Sequence, residues 1–176
     1  MEVLLAKSWA GQDPTGWWMS EKLDGVRAVW DGKTREFYSR NGNRFHAPEW
    51  FRAAMPATSL DGELFIGRGK FQETVSIVRT QGEDKGWNKI KFHAFDVYPF
   101  DADSAVLSFE ERQEWLAKIA ATTTAEIVHV QQHACEGADH VNAFVDAVVA
   151  AGGEGAMLRM PGSLYERKRS GTLLKV

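Results

Sequence analysis

Five places along this 176-residue chain put residues that can do chemistry where strands should be plain. They are Lys22 with Asp24 and Arg27, Ser39 with Arg40, Asp61 with Glu63, Glu154, and Lys175. Lys22 stands between two apolar-aromatic runs in "SEKLDGVRAVWDG" (residues 20–32), beside a carboxylate and a glycine, with an arginine five residues on. A lysine amine becomes a nucleophile when burial or neighbouring cations lower its pKa, and Arg27 and Lys175 are candidates for that positive field. Such an amine can attack an α-phosphate and hold a nucleoside monophosphate covalently. Glu63 and Glu154 are then candidates to bind a divalent cation or a ribose. Arginines and lysines would clamp the phosphates through an in-line transition state. The chemistry these residue types suggest is nucleotidyl transfer.

Each motif also has a plain structural reading. Lys22 and Asp24 can form a surface ion pair around an "LDG" turn. "SRNG" (39–42) and "DGEL" (61–64) are turn sequences. "GGEG" (152–155) is a helix stop followed by a strand start. "LLKV" (173–176) alone says almost nothing. It is the joint order and spacing of these pieces that points to a site.

The elements that must position them follow from periodicity. Strand signals occur at residues 16–20, 26–32 and 36–40, with "DGK" (31–33) as hairpin punctuation between the last two. Residues 48–55 open with proline and read as a short helix. Residues 59–66 form a strand interrupted by Asp-Gly. In 71–79, Phe71, Val75 and Val78 share one helical face. Residues 89–98 alternate and then turn apolar, as a half-buried strand does. Ser108 and Glu111 form a capping box that opens a helix over 108–120. Residues 126–133 alternate as another strand, 139–153 form an amphipathic helix stopped by glycines, and 155–160 and 172–176 are closing strands. The expected architecture is α+β: two largely antiparallel sheets with flanking helices, and a cleft between the sheets that collects the polar residues.

Composition sets the outer limits. One domain of this length can bury a real core. Hydrophobic residues make up 44% and charged residues 26%, and seven Trp and ten Phe argue against disorder. No apolar run is long enough to cross a membrane. The start shows no leader pattern, which fits a cytoplasmic protein or a mature periplasmic one with its leader removed. The net charge of -3 means that any nucleic-acid binding must use local patches. Two exist, "GRGK" (67–70) and "ERKRS" (166–170), and each alone reads as a solvated loop. The single Cys135 forbids an internal disulfide and a cysteine zinc cluster, and reads as structurally incidental. His129 and His133 lack a partner cluster on what reads as a strand, and are expected to be exposed.

Together "KLDGVR", "SRNG", "DGEL", "FHAFDVY", "GEGAMLR" and "LLKV" span essentially the whole chain. In that order they resemble the nucleotidyltransferase (adenylation) domain of ATP-dependent DNA ligases, of the minimal bacterial and viral type. The resemblance implies the ATP-grasp-like fold of that domain, with ATP and Mg²⁺ (or Mn²⁺) as cofactors and nicked double-stranded DNA as partner. It makes Lys22 the AMP acceptor, with Asp24 in the same motif, and puts Arg27 on the ribose and the bound nucleotide. Ser39 and Arg40 fall on the motif that engages the 5′-phosphate at the nick. Glu63 would hold the ribose and assist the metal. Phe95, a core residue by strand alternation alone, becomes the residue that stacks on adenine. Glu154 is the metal-binding carboxylate, Lys175 lies near the α-phosphate, and Arg169 near the DNA. A monomer without membrane attachment is expected. The family's fifth motif usually runs Lys-x-Lys, whereas this sequence stops at Val176. Residues 1–176 therefore read as the adenylation domain, with the C-terminal oligonucleotide-binding domain absent. An RNA ligase or a GTP-using capping enzyme shares the lysine motif. A non-catalytic nucleotide- or DNA-binding module is the reading from another class.

Overall fold

In the computed structural model, residues 1–82, 86–123 and 125–176 are described. Eleven strands among these residues form two sheets. The first sheet contains β1 (Leu5–Ser8), β2 (Trp18–Lys22), β9 (His133–Ala134), β10 (Gly155–Arg159) and β11 (Arg169–Lys175), in the order β1-β11-β10-β2-β9. The second contains β3 (Val26–Asp31), β4 (Glu36–Tyr38), β5 (Arg44–Phe45), β6 (Leu60–Phe65), β7 (Lys91–Val97) and β8 (Ile127–His129), in the order β5-β4-β3-β6-β7-β8. Among the described residues only β1–β11 and β7–β8 pair in parallel. The largely antiparallel, two-sheet expectation therefore holds.

Among the described residues five α-helices flank the sheets: α1 (Glu49–Ala53), α2 (Phe71–Arg79), α3 (Ala102–Ala105), α4 (Phe109–Thr122) and α5 (Ala138–Ala150). The capping box of α4 forms as the sequence predicts, with Ser108 Oγ accepting from the Glu111 amide and Glu111 Oε1 accepting from the Ser108 amide. The largest core joins the second sheet to its helices through Trp30, Phe37, Phe51, Trp87 and Phe92. Phe37 meets Trp30, Phe51 and Phe92 with ring centroids 4.8, 5.7 and 5.1 Å apart. Each such buried ring contributes roughly 1.5–3 kcal/mol. A smaller core of Leu4, Val29, Tyr98, Tyr165 and Leu173 ties the two sheets together.

Several expectations need correction. Residues 126–133 are not one strand: the chain leaves the second sheet after His129 and enters the first at His133. His129 is half-buried, with Nε2 2.8 Å from Gln113 Oε1, so only His133 is exposed as expected. Cys135 is not incidental; it is 3% exposed in the core between the first sheet and α5. In α2 the buried residues are Thr74, Ile77 and Val78, while Phe71 is 42% exposed. The apolar face is turned from the expected one, and Phe71 faces solvent. Strand β4 ends at Tyr38, which leaves Ser39 and Arg40 in a loop. β1 pairs with β11 although residues 5–8 carry no clear alternation.

Candidate active site in the cleft between the sheets

A cavity of about 320 Å³ opens where the two sheets face each other. Its walls include Lys22, Arg27, Arg40, Glu63, Phe95, Arg169 and Lys175, drawn from both sheets. Seven residues spread over more than 150 positions of sequence thus share one space.

Lys22 is the last residue of β2 and is paired across the strands with Gly155. That register brings Glu154 alongside, and Lys22 Nζ donates to Glu154 Oε2 at 2.6 Å. Both side chains are more than a third exposed (37% and 45%), so solvent screens the pair and it exchanges readily for other charges. Two of the three glycines of "GGEG", Gly153 and Gly155, follow from crowding. A Cβ on Gly155 would sit 2.6 Å from the Val176 carbonyl, and one on Gly153 2.5 Å from Val148 Cγ1. Lys175, on β11 opposite Met157, reaches the same cavity from the neighbouring strand.

The other wall is built on β3, β6 and β7. Gly25 is required because a Cβ there would lie 2.5 Å from the Leu64 carbonyl; Gly62 is required because one there would lie 2.4 Å from that of His93. This close packing sets Arg27 opposite Glu63 on paired strands. Arg27 forms a two-pronged pair with the buried Asp61 (Nε–Oδ1 2.7 Å, Nη2–Oδ2 2.6 Å), and Nη2 also donates to the Leu4 carbonyl at 3.0 Å. Its guanidinium carbon lies 5.0 Å from the centroid of the Phe95 ring. Phe95 is half-buried and lines the cavity, so one of its faces is unlike a core ring's.

Glu63 is held in an unusual state. Its Oε2 is buried without a hydrogen-bond partner among the described residues. Burial, reinforced by the Asp61 and Glu154 carboxylates against the pull of Arg27 and Lys22, pushes its pKa up to about 8. The cross-strand neighbour His93 offers no compensating charge, because burial and then Lys91 push its pKa down to about 4. A carboxyl with a folded pKa above its unfolded value contributes stability that is complete below pH 4.5 and lost as pH rises through 8. The protein's thermal midpoint should therefore fall between pH 5 and pH 8.5 without ligand. Glu63→Gln should flatten that fall, leaving the variant the more stable of the two at pH 8.5. Parallel melting curves check this, and a Gln variant that falls as steeply as the wild type contradicts it.

Among the described residues no three His, Cys, Asp or Glu converge as a metal cage. Glu63 and Glu154 nevertheless fit a hard cation. They are oxygen donors near one lysine, Lys22, one of them with an unsatisfied oxygen, and Mg²⁺ is typically held by one or two carboxylates plus substrate phosphates.

The remaining predicted residues are placed as follows. Ser39 Oγ accepts from the amides of Asn41 and Asn43 at 3.3 and 3.1 Å, shaping the loop that carries Arg40 to the cavity rim. Arg169 donates to the Ala6 carbonyl at 2.5 Å and lies on the rim. Asp24 does not line the cavity; it accepts from the Gly69 amide at 3.3 Å. Sequence reading missed Arg159, which lines the cavity with its Nη1 2.6 Å from Asp96 Oδ2. An arginine inside the buried run "GAMLRM" was the available signal. It also passed over the carboxylate of Asp96 inside the apolar "FDVY".

Comparison with known proteins places the chain in a family. Residues 5–176 match the family described as ATP dependent DNA ligase domain. A curated DNA ligase of Haemophilus influenzae is 36% identical over 175 residues, and this chain spans 63% of its length. A curated DNA ligase of Archaeoglobus fulgidus is 30% identical over 171 residues, which cover 88% of this chain and 31% of that protein. Among solved structures, one from a study of DNA binding by Lig E DNA ligases is 36% identical with a TM-score of 0.90, covering all of this chain and 68% of that one. The Chlorella virus DNA ligase-adenylate shares the fold, with 21% identity, a TM-score of 0.81, and coverage of 100% and 67%.

Proposed function

The chain belongs to the ATP-dependent DNA ligase domain family, and on that premise we propose that it is the catalytic core of a ligase that seals nicks in double-stranded DNA through a covalent lysine–AMP intermediate. The observation that carries this reading is Lys22 itself. It ends a rigid strand, enters the cavity between the sheets, and is held by an exchangeable ion pair rather than by a permanent buried one.

In the first step the Lys22 amine, yielding a proton to Glu154 or to water, attacks the α-phosphorus of ATP. A P–N bond forms, the bond from the α-phosphorus to the bridging oxygen breaks, and pyrophosphate leaves. Glu154, which accepts from Nζ in the resting protein, keeps the amine aimed into the cavity. Arg27 and Lys175 face the charge that builds on the phosphate, and Phe95 offers a flat face to adenine. Glu63 meets the ribose as a hydrogen-bonding carboxyl. In the second step a 5′-phosphate oxygen at the nick attacks the same phosphorus and Lys22 leaves. In the third the 3′-hydroxyl displaces AMP and the strand is joined. Mg²⁺ bound by Glu154 and Glu63 would neutralise phosphate charge as the bonds change.

A second, larger groove supports DNA as the partner. It has a volume of about 660 Å³, is contiguous with the first through Arg27 and Arg40, and is lined in addition by Arg44, Arg79, His46 and the exposed Phe71. None of its described lining residues is acidic, in a protein of net charge -3. A polyanion leaving the nick along this groove would meet cations at each turn.

The test is an intact mass after incubation with ATP and Mg²⁺. The expected result is a gain equal to AMP that maps to the peptide containing Lys22 and is absent with GTP. An adduct on another lysine, or none after incubation with ATP and Mg²⁺ in the absence of DNA, overturns the reading.

A further inference from the structure

Asp61 is fully buried beneath the cavity and accepts three side-chain hydrogen bonds. Two come from Arg27. The third comes from a residue no motif singled out: Tyr165, whose hydroxyl donates to Asp61 Oδ2 at 2.5 Å. The same hydroxyl accepts from the Leu4 amide at 3.2 Å, while the Leu4 carbonyl accepts from Arg27 Nη2. Tyr165, Arg27 and both main-chain groups of Leu4 thus close a ring around one carboxylate oxygen. Tyr165 follows β10 of the first sheet, whereas Asp61 and Arg27 sit on β6 and β3 of the second. The ring is a polar tie across the floor of the cleft. It leaves Arg27 Nη1 without a partner among the described residues, beside Phe95 and on the cavity wall.

We propose that Tyr165 is a positioning residue for nucleotide binding: it fixes Asp61, and through Asp61 it sets the guanidinium of Arg27 against Phe95 with one donor free for the nucleotide. The inference rests on the cavity being the ATP site. The physical reason is specific to the hydroxyl. Arg27 alone could rotate about a two-pronged pair with Asp61 if the carboxylate itself could turn. A short O–H···O⁻ bond on Oδ2 opposes that turn, and such charge-assisted bonds are the strong ones. The burial of Tyr165 (6% exposed) and the proximity of Asp61 both raise the pKa of its phenol well above the usual value, so the hydroxyl remains a donor across the working pH range.

Tyr165→Phe removes this hydroxyl and keeps the ring. Tyr98→Phe is the control. Tyr98 is equally buried (2% exposed), lies 5.5 Å from Tyr165 ring to ring, and donates to the Glu2 carbonyl without touching Asp61. ATP affinity is measured by equilibrium titration, and the rate of AMP attachment is measured at saturating ATP. The Tyr165→Phe variant should bind ATP about fivefold to tenfold more weakly, the order expected for the net loss of one hydrogen bond, and attach AMP within about twofold of the wild-type rate once saturated. Tyr98→Phe should bind as the wild type does. Combined with Arg27→Lys, the Tyr165→Phe loss should largely disappear, because the positioned group is already gone. Equal losses in both tyrosine variants, or full additivity with Arg27→Lys, would overturn the proposal and leave Tyr165 a structural residue. A wild-type protein that binds ATP but never attaches it would sink the functional reading instead, while the affinity comparison still decides this one.

Discussion

Replacing Lys22 by alanine should abolish attachment of AMP, by at least about a thousandfold, and leave the fold intact. The two halves of this expectation come from the same ion pair. Lys22 and Glu154 are 37% and 45% exposed, and a screened surface pair of this kind is worth about 0–1 kcal/mol. Its loss should therefore move the thermal midpoint by no more than a few degrees, roughly 2–4 °C for a domain of this size. On the covalent reading, loss of Lys22 also removes the atom to which the nucleotide would be joined. Lys22→Arg separates the explanations. An arginine keeps the charge and can keep the pair to Glu154, so a purely electrostatic role predicts near-normal activity. A guanidinium stays protonated and cannot attack phosphorus, so the covalent role predicts a second dead enzyme. Transfer of radiolabel from ATP to protein, read beside melting curves for both variants, checks the prediction. Measurable labelling in Lys22→Arg would return Lys22 to the role of a surface cation.

The legible part of this protein was the part written in short spacing. "KLDGVR", "DGEL" and "GGEG" each combine a reactive side chain with a glycine, and the glycines explain themselves in three dimensions. At Gly25, Gly62 and Gly155 a side chain would strike a neighbouring carbonyl at 2.4–2.6 Å. The close approach that demands glycine is the same approach that presents Lys22 and Glu63 to one cavity, with Glu154 held against Lys22. Local chemistry was equally clear at Ser108 and Glu111, where cap and helix agree. What escaped the sequence was long-range. β1 exists because β11 pairs with it from more than 160 residues away, and nothing in residues 5–8 announces that partner. The crossing of residues 129–133 from one sheet to the other keeps an alternating pattern throughout, so periodicity alone could not show that two different sheets are being served. Tyr165 was invisible for a similar reason. Its partner Asp61 is 104 residues earlier, and the hydrogen bond has no local signature.

The second large effect lies under the nucleotide platform rather than in the site. Asp96 should be the least replaceable carboxylate in the chain for stability, with Asp96→Asn costing about 3–5 kcal/mol. Its side chain is 0% exposed and sits between two arginines, Arg112 at 0% and Arg159 at 6% side-chain exposure. Arg112 Nε and Arg159 Nη1 each approach it to 2.6 Å, and the Val97 amide adds a bond of 2.9 Å to Oδ1. Asparagine keeps the volume but leaves two guanidiniums buried without an anion, and breaking a buried pair from one side is destabilising on this order. That is a large share of the 5–15 kcal/mol that holds a typical domain together. The arginines should not be equivalent to it. Arg112 also donates to the carbonyls of Leu107 and Ser163, so its loss unties the end of α3 and the loop after β10 together. Arg159 has a buried Nε with no partner among the described residues, a standing penalty that Arg159→Met would remove while keeping the aliphatic stem over the Phe109 ring. Arg159→Met should therefore cost little in stability, about 1 kcal/mol or less, because the one-to-one pair of Asp96 with Arg112 survives. Because Phe95 precedes Asp96 on β7, whatever loosens this cluster also loosens the ring proposed to meet adenine. Urea denaturation of the three variants, with nucleotide affinity measured on those that remain folded, gives the ranking. A midpoint for Asp96→Asn close to wild type, or below it by no more than Arg159→Met, would mean that the two arginines reach water and that the charge cluster does not anchor β7.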